Sequence, residues 1–174
     1  MSFRRWSLAS ATLDLNTVPK LVRRPTEEGK MISKDGSLII SGEATIHPLL
    51  TEAMFLDSGL GRSTNKGIFN ARYNTYHAIG MLADELECSI SLIFREGVLN
   101  MVRMTPRWSG LTSSAWSNWS LEDELEIKRK NDALLRRSLG PPPYSYEWGN
   151  ISSEYDAKTG GSEVTLNYDL SPEK

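Results

Sequence analysis

The residues best suited to chemistry in this 174-residue chain are two histidines and one cysteine. His77 and Cys88 could act as base and nucleophile, because an imidazole beside a thiol activates it. A histidine on an apolar helix face and a cysteine at a strand start are, however, more typical of core packing. No glycine-rich phosphate loop or nucleophile elbow accompanies them. The sequence therefore predicts a protein that is not an enzyme, and it predicts no cofactor and no metal.

A second short stretch suits recognition rather than catalysis. Pro141, Pro142, Pro143 and Tyr144 fit the pattern Pro-Pro-x-Tyr, with Pro143 at the variable position. Prolines preset an extended polyproline II backbone, so little entropy is lost when the segment binds the aromatic groove of a WW domain. The same prolines could simply end the preceding helix, because proline cannot continue one. Tyr144 favours the ligand interpretation, since helix termination does not require it.

Three of the five tryptophans form a cluster in a polar loop. Trp108, Trp116 and Trp119 lie within a short segment rich in Ser and Thr. Such indoles could enter a membrane interface or anchor a protein partner. Alternatively, they could cover the edge of the core. The sequence leaves both interpretations open.

Charge is distributed unevenly along a chain whose net charge is −2. Residues 1–24 contain five basic side chains against Asp14 alone: Arg4, Arg5, Lys20, Arg23 and Arg24. Residues 138–174 are mainly acidic. Opposite charges at the two ends indicate either two partner surfaces or solvated tails. Arg4, Arg5, Arg23 and Arg24 are the candidate contacts for an anionic membrane or a nucleocapsid.

The compartment follows from what the sequence lacks. The single cysteine excludes a disulfide framework. No apolar run approaches the roughly 18 residues of a membrane span, and no sustained apolar stretch follows Arg4 and Arg5 at the start. We therefore expect an intracellular protein that is not secreted.

Local signals predict hairpins separated by helices. Asp35-Gly36 and Glu96-Gly97 are tight-turn signals, each followed by alternating apolar residues that indicate strands. The alternation from Leu38 to Ile46 predicts one half-buried strand, and residues 162–168 predict a late strand. Helices are predicted over residues 48–61, over residues 70–87 and from Ser120, an N-cap, to Gly140.

These elements predict an α+β fold, with an antiparallel sheet from hairpins packed with two or three helices in a single domain. Residues 1–30 are predicted to be a flexible basic arm. Residues 31–139 are predicted to form the core domain. Residues 140–174 would hold the proline–tyrosine element and an acidic C-terminal segment.

The assembled pattern resembles a matrix protein of a rhabdovirus-type negative-strand RNA virus. A basic arm, a domain opening with the strand and helix of residues 36–54, and the Pro-Pro-x-Tyr element carry the resemblance. It implies a protein that self-associates, links the viral ribonucleoprotein to the inner membrane face and promotes budding, located in the virion and host cytoplasm. In that family the Pro-Pro-x-Tyr element is a late domain that recruits host WW-domain ubiquitin ligases, which here implicates Pro141, Pro142 and Tyr144. The alternative is a soluble viral accessory or cellular adaptor protein that captures WW-domain partners.

Overall fold

The computed structural model describes residues 31–40, 44–81, 86–111 and 119–169. Within these ranges the chain forms a seven-stranded antiparallel sheet, a two-stranded sheet and three helices. The predicted α+β class is therefore confirmed. The arm predicted over residues 1–30 lies outside the described residues.

The first hairpin corrects the single strand predicted from Leu38 to Ile46. Strands β1 (Leu38–Ile40) and β2 (Ala44–Ile46) pair antiparallel, with Leu38 opposite Ile46. A period of two fits one long strand and two short ones equally, so the pattern could not separate them. The turn predicted at Asp35-Gly36 is present before β1, with Gly36 at φ +82.

Two short helices replace the one predicted over residues 48–61. Helix α1 (Glu52–Asp57) begins after Thr51, and helix α2 (Gly59–Arg62) begins after Ser58. Both capping side chains accept a backbone N–H bond, which stabilises the helix starts. Gly61, the last residue of the predicted helix, lies inside α2, where a Cβ would come within 1.9 Å of the Phe55 carbonyl oxygen.

The helix predicted over residues 70–87 is wrong, because residues 73–81 form the second strand of a hairpin. Strands β3 (Asn65–Phe69) and β4 (Tyr73–Met81) pair antiparallel. Tyr76 and Ala78 are buried whereas His77 and Ile79 are exposed, which is the alternation of a strand. Pairing along the whole of β4 with the next strand overrides the helical spacing of its apolar residues.

The second predicted hairpin is confirmed. Strands β5 (Glu87–Arg95) and β6 (Val98–Pro106) are joined by Glu96 and Gly97, at φ +52 and +80. Positive φ at both positions suits the right-handed twist of the strands.

The predicted long helix is also confirmed, as α3 (Leu121–Leu139). Ser120 Oγ accepts the backbone N–H of Asp123 at 3.0 Å, and Gly140 follows the last turn with φ +90. Three further strands follow α3: β7 (Ser145–Tyr146), β8 (Gly149–Asp156) and β9 (Gly161–Tyr168). β9 is the predicted late strand.

Strand order corrects the predicted end of the core at residue 139. The seven strands are ordered β3-β4-β5-β6-β9-β8-β7, so β9 pairs with β6 inside the sheet. β9 has four fully or nearly buried side chains: Ser162, Val164, Leu166 and Tyr168. The core therefore extends to Tyr168, because the sheet is completed by strands from the C-terminal segment.

The two faces of the large sheet differ. One face forms the core with the small hairpin and the helices; Phe55 of α1, for example, packs against Tyr76 and Phe94. We call the other face the open face and define it by His77, Ile79, Ile93 and Met101. Ile79 is 62% exposed there, and Ile93 and Met101 are paired and half-buried.

Candidate interaction site

The three prolines lie on the surface, between the end of α3 and β7. Pro141, Pro142 and Pro143 are all exposed. Gly140 precedes them, and its N–H donates to the Arg136 carbonyl at 2.9 Å. The prolines are thus presented by a turn that starts from a fixed helix end.

Tyr144, the fourth residue of the motif, is held more firmly than its neighbours. Its ring is half-buried against the core, and its hydroxyl donates to the Gly140 carbonyl at 3.0 Å. Its own carbonyl accepts the N–H of Ile151 at 2.9 Å. Burial raises the pKa of the Tyr144 hydroxyl. The side chain that a WW domain would take is therefore part of the fold in the free protein.

Trp148 is a binding or packing residue that the sequence analysis did not single out. It stacks on Tyr146, with ring centroids 5.2 Å apart, and its Nε1–H donates to the Lys34 carbonyl at 2.8 Å. Tyr146 and Trp148 line an open groove of about 640 Å³ together with Lys34, Ser145 and Glu147. Aromatic residues at every second position from Tyr144 to Trp148 were the available signal.

Trp108 is tied to α3. Its indole is half-buried against the core, and Nε1–H donates to Oδ1 of the fully buried Asn131 at 2.9 Å. The Lys130 ammonium lies 5.6 Å from the centroid of the ring. These contacts join the loop after β6 to the helix, so Trp108 has a packing role.

Of the other two predicted tryptophan contacts, Trp119 lies within the described residues and Trp116 does not. Trp119 is 37% exposed, and its Nε1–H donates to the Gly160 carbonyl at 2.6 Å. Trp116 lies outside the described residues, as do Arg4, Arg5, Arg23 and Arg24. Of the predicted membrane or nucleocapsid contacts, Trp108 and Trp119 are thus the two that the structure describes.

The candidate base and nucleophile point away from each other. His77 is exposed on the open face, where its Nδ1 lies 2.9 Å from Ser91 Oγ. Cys88 is fully buried on the core face of β5. Side chains on opposite faces of one sheet cannot exchange a proton directly. His77 and Cys88 therefore do not form a base–nucleophile pair.

Burial of ionisable side chains makes the folded protein less stable at alkaline pH. Desolvation raises the pKa of Cys88 from 9.0 to about 12. Burial, with the Glu52 carboxylate that accepts its hydroxyl, raises the pKa of Tyr76 from 10.0 to about 12. Between these values the unfolded chain has lost protons that the folded chain retains, so stability falls as pH rises.

We therefore expect the free energy of unfolding to decrease from about pH 9 upward, by about 1.4 kcal/mol per pH unit for Cys88. Urea denaturation at intervals from pH 8 to 11 measures it. Cys88→Ala should remove the decrease in the free energy of unfolding between pH 9 and 10. It should keep the decrease above pH 10, which comes from Tyr76. Equal slopes in both proteins would contradict the assignment to Cys88.

Two further features are absent from the described residues: a metal-binding group and a membrane-spanning helix. Among them, no three His, Cys, Asp or Glu side chains come together in a group that could hold a metal ion. No helix in the same ranges is long and apolar enough to cross a membrane.

The chain was compared with known proteins at three levels. No protein-family model, no curated protein and no solved structure matches it.

Proposed function

We propose that this protein is a non-enzymatic interaction protein of the viral matrix type that offers Pro141–Tyr144 to host WW-domain ubiquitin ligases. The observation that carries the proposal is the exposure of three consecutive prolines on a turn fixed at both ends. Late-domain activity in budding would follow from recruiting the ligase to the assembly site.

Binding requires a local rearrangement. Tyr144 must leave the core edge and break its bond to the Gly140 carbonyl before its ring can enter a WW pocket. The free energy of that opening is subtracted from the affinity, and each 1.4 kcal/mol weakens binding tenfold. The motif is therefore a gated ligand, weaker in the folded chain than in an extended peptide.

The direct test is calorimetric titration of the full chain with a WW domain from a HECT ubiquitin ligase. Saturable binding with one WW domain per chain is the expected result. An absence of binding at the highest usable concentration would contradict the proposal.

The open face supports self-association, the second part of the matrix-type role. It carries the exposed Ile79, which lies opposite Ser89, and, four residues farther along the strands, the half-buried pair Ile93 and Met101. Burying such side chains against a second copy contributes about 25 cal/mol for each Å² of apolar surface removed from water. The open face is therefore the proposed contact between copies.

We expect Ile79→Lys to shift the protein from oligomer to monomer in sedimentation velocity, because a charge would be buried in the contact. Ile79 is already exposed, so folding should be little affected. Leu49→Lys is the matched control, since Leu49 is 71% exposed but lies outside the open face. A wild-type protein that stays monomeric at all concentrations would overturn the proposed contact.

The membrane and ribonucleoprotein contacts are proposed for Arg4, Arg5, Arg23 and Arg24. Each basic side chain near an anionic leaflet contributes about 1 kcal/mol, so the arm alone gives modest, salt-sensitive binding. The protein would then lie peripherally at the inner face of the membrane, in virions and host cytoplasm.

The second candidate function is a soluble viral accessory or cellular adaptor protein that captures WW-domain partners. The acidic side chains beside Trp119, Glu122 and Asp123, favour it, because they oppose insertion of that indole into an anionic membrane. The two candidates separate by flotation with anionic liposomes at low salt. A matrix-type protein floats with the vesicles, whereas an adaptor remains at the bottom of the gradient.

A further inference from the structure

An exposed apolar patch lies at the start of α3. Leu121 and Leu125 are 47% and 42% exposed and lie one helical turn apart, on the same side of the helix. Trp119, 37% exposed, precedes them by two residues. We call these three residues the Trp119 patch. Three large apolar side chains that remain more than a third exposed within seven positions of the chain indicate a contact surface.

The residues that follow Leu121 are acidic, whereas the basic Lys128 and Arg129 follow Leu125 by three and four positions. Glu122 is exposed, and Asp123 and Glu126 are half-buried on the same two turns of α3. Glu126 pairs with Arg129 at 3.1 Å, whereas within the described ranges no basic side chain forms an ion pair with Glu122 or Asp123. An occupant of the Leu121 end of this patch should therefore be apolar and positively charged.

The chain itself contains a segment of that kind. Residues 1–24 carry five basic side chains against one acidic, and Trp6 follows directly after Arg4 and Arg5. Thirty residues before Met31 reach up to about 100 Å when extended, whereas a domain of this size is roughly 40 Å across. The segment can therefore reach the patch from any point on the surface.

We propose that residues 1–24 dock on the Trp119 patch of the same chain, with apolar side chains against Leu121 and Leu125 and arginines beside Glu122 and Asp123. Docking covers the basic side chains in the free protein. An anionic surface then competes with Glu122 and Asp123 for them, so the contact acts as an internal restraint on the arm. The contact concerns the free protein and depends on neither the WW-domain nor the membrane part of the proposed function.

Paramagnetic relaxation enhancement tests this contact in the full chain. Ser7→Cys carries a nitroxide label beside Trp6, and the native Cys88 is fully buried and thereby protected from the reagent. We expect selective broadening of the backbone amides of Leu121, Glu122 and Leu125 at low salt. The broadening should disappear at about 0.5 M salt, where charges more than a few Å apart are screened.

Charge-neutralised variants test whether the charges of Glu122 and Asp123 cause the broadening. Glu122→Gln combined with Asp123→Asn should abolish the broadening. Glu147→Gln combined with Glu154→Gln removes two exposed acidic charges elsewhere and should leave it intact. The salt titration of the otherwise unmodified protein serves as a second readout if the first double variant folds poorly.

Three results would overturn the proposal. The first is uniform or absent broadening at low salt. The second is broadening that survives both high salt and the loss of Glu122 and Asp123 charges. The third is broadening seen only between molecules, when isotope-labelled chains without nitroxide are mixed with nitroxide-labelled chains, because the arm would then bind a second copy.

Discussion

Replacing Tyr144 by alanine is expected to abolish WW-domain binding and to lower the free energy of unfolding by about 2–3 kcal/mol. The ring is half-buried at the core edge, so the loss lies below the roughly 3–5 kcal/mol of a fully buried aromatic residue. About 1 kcal/mol of it comes from the hydroxyl bond to the Gly140 carbonyl. Urea denaturation and calorimetric titration with a WW domain measure the two effects.

Pro141→Ala is the control that separates recognition from folding. Pro141 is exposed, so its replacement should change stability by less than about 1 kcal/mol. Its place in the motif predicts at least about a tenfold loss of WW affinity, or 1.4 kcal/mol. If Pro141→Ala binds as the wild type does, or if Tyr144→Ala still binds, the motif is not the ligand.

Trp148→Ala is expected to have the largest effect on folding, lowering the free energy of unfolding by about 3 kcal/mol. The indole joins residues from the two ends of the described chain: it stacks on Tyr146, contacts Tyr168 and donates to the Lys34 carbonyl. The Tyr168 hydroxyl reinforces this junction by donating to the Gly36 carbonyl at 3.0 Å. Removal of the indole therefore loosens the first turn and the last hairpin together.

Trp148→Phe separates the contribution of ring stacking from that of the Nε1–H hydrogen bond. It retains an aromatic ring for stacking but loses the Nε1–H donor, so we expect a loss of about 1 kcal/mol beyond the change in ring size. Urea denaturation compares the three proteins. A Trp148→Ala protein as stable as the wild type would show that Trp148 contributes nothing to the junction.

Elements with complete local signals were predicted from the sequence. Helix α3 has a capping serine, acidic residues in its first turn and a terminating glycine, and the β5–β6 hairpin has its turn residues and alternation. These signals act over a few residues, so they can be read without knowing the tertiary partners.

Elements defined by distant partners were missed. The local spacing of apolar residues in β4 fits a helix and led to the wrong prediction. Pairing with β5 overrides that spacing and makes the segment a strand. The packing of Tyr144 and Trp148 depends on partners in other parts of the chain; Lys34 and Trp148 are 114 positions apart. The Pro-Pro-x-Tyr element was visible in the sequence, whereas the restraint on its tyrosine was not.

The most direct test of the gated-ligand account is hydrogen exchange at the Ile151 amide, with and without a saturating WW domain. That amide donates to the Tyr144 carbonyl at 2.9 Å in the free protein. If Tyr144 leaves the core edge to enter a WW pocket, Ile151 should lose protection while amides in the central strands β5 and β6 keep theirs. WW binding with unchanged protection at Ile151, or no WW binding, would contradict the account.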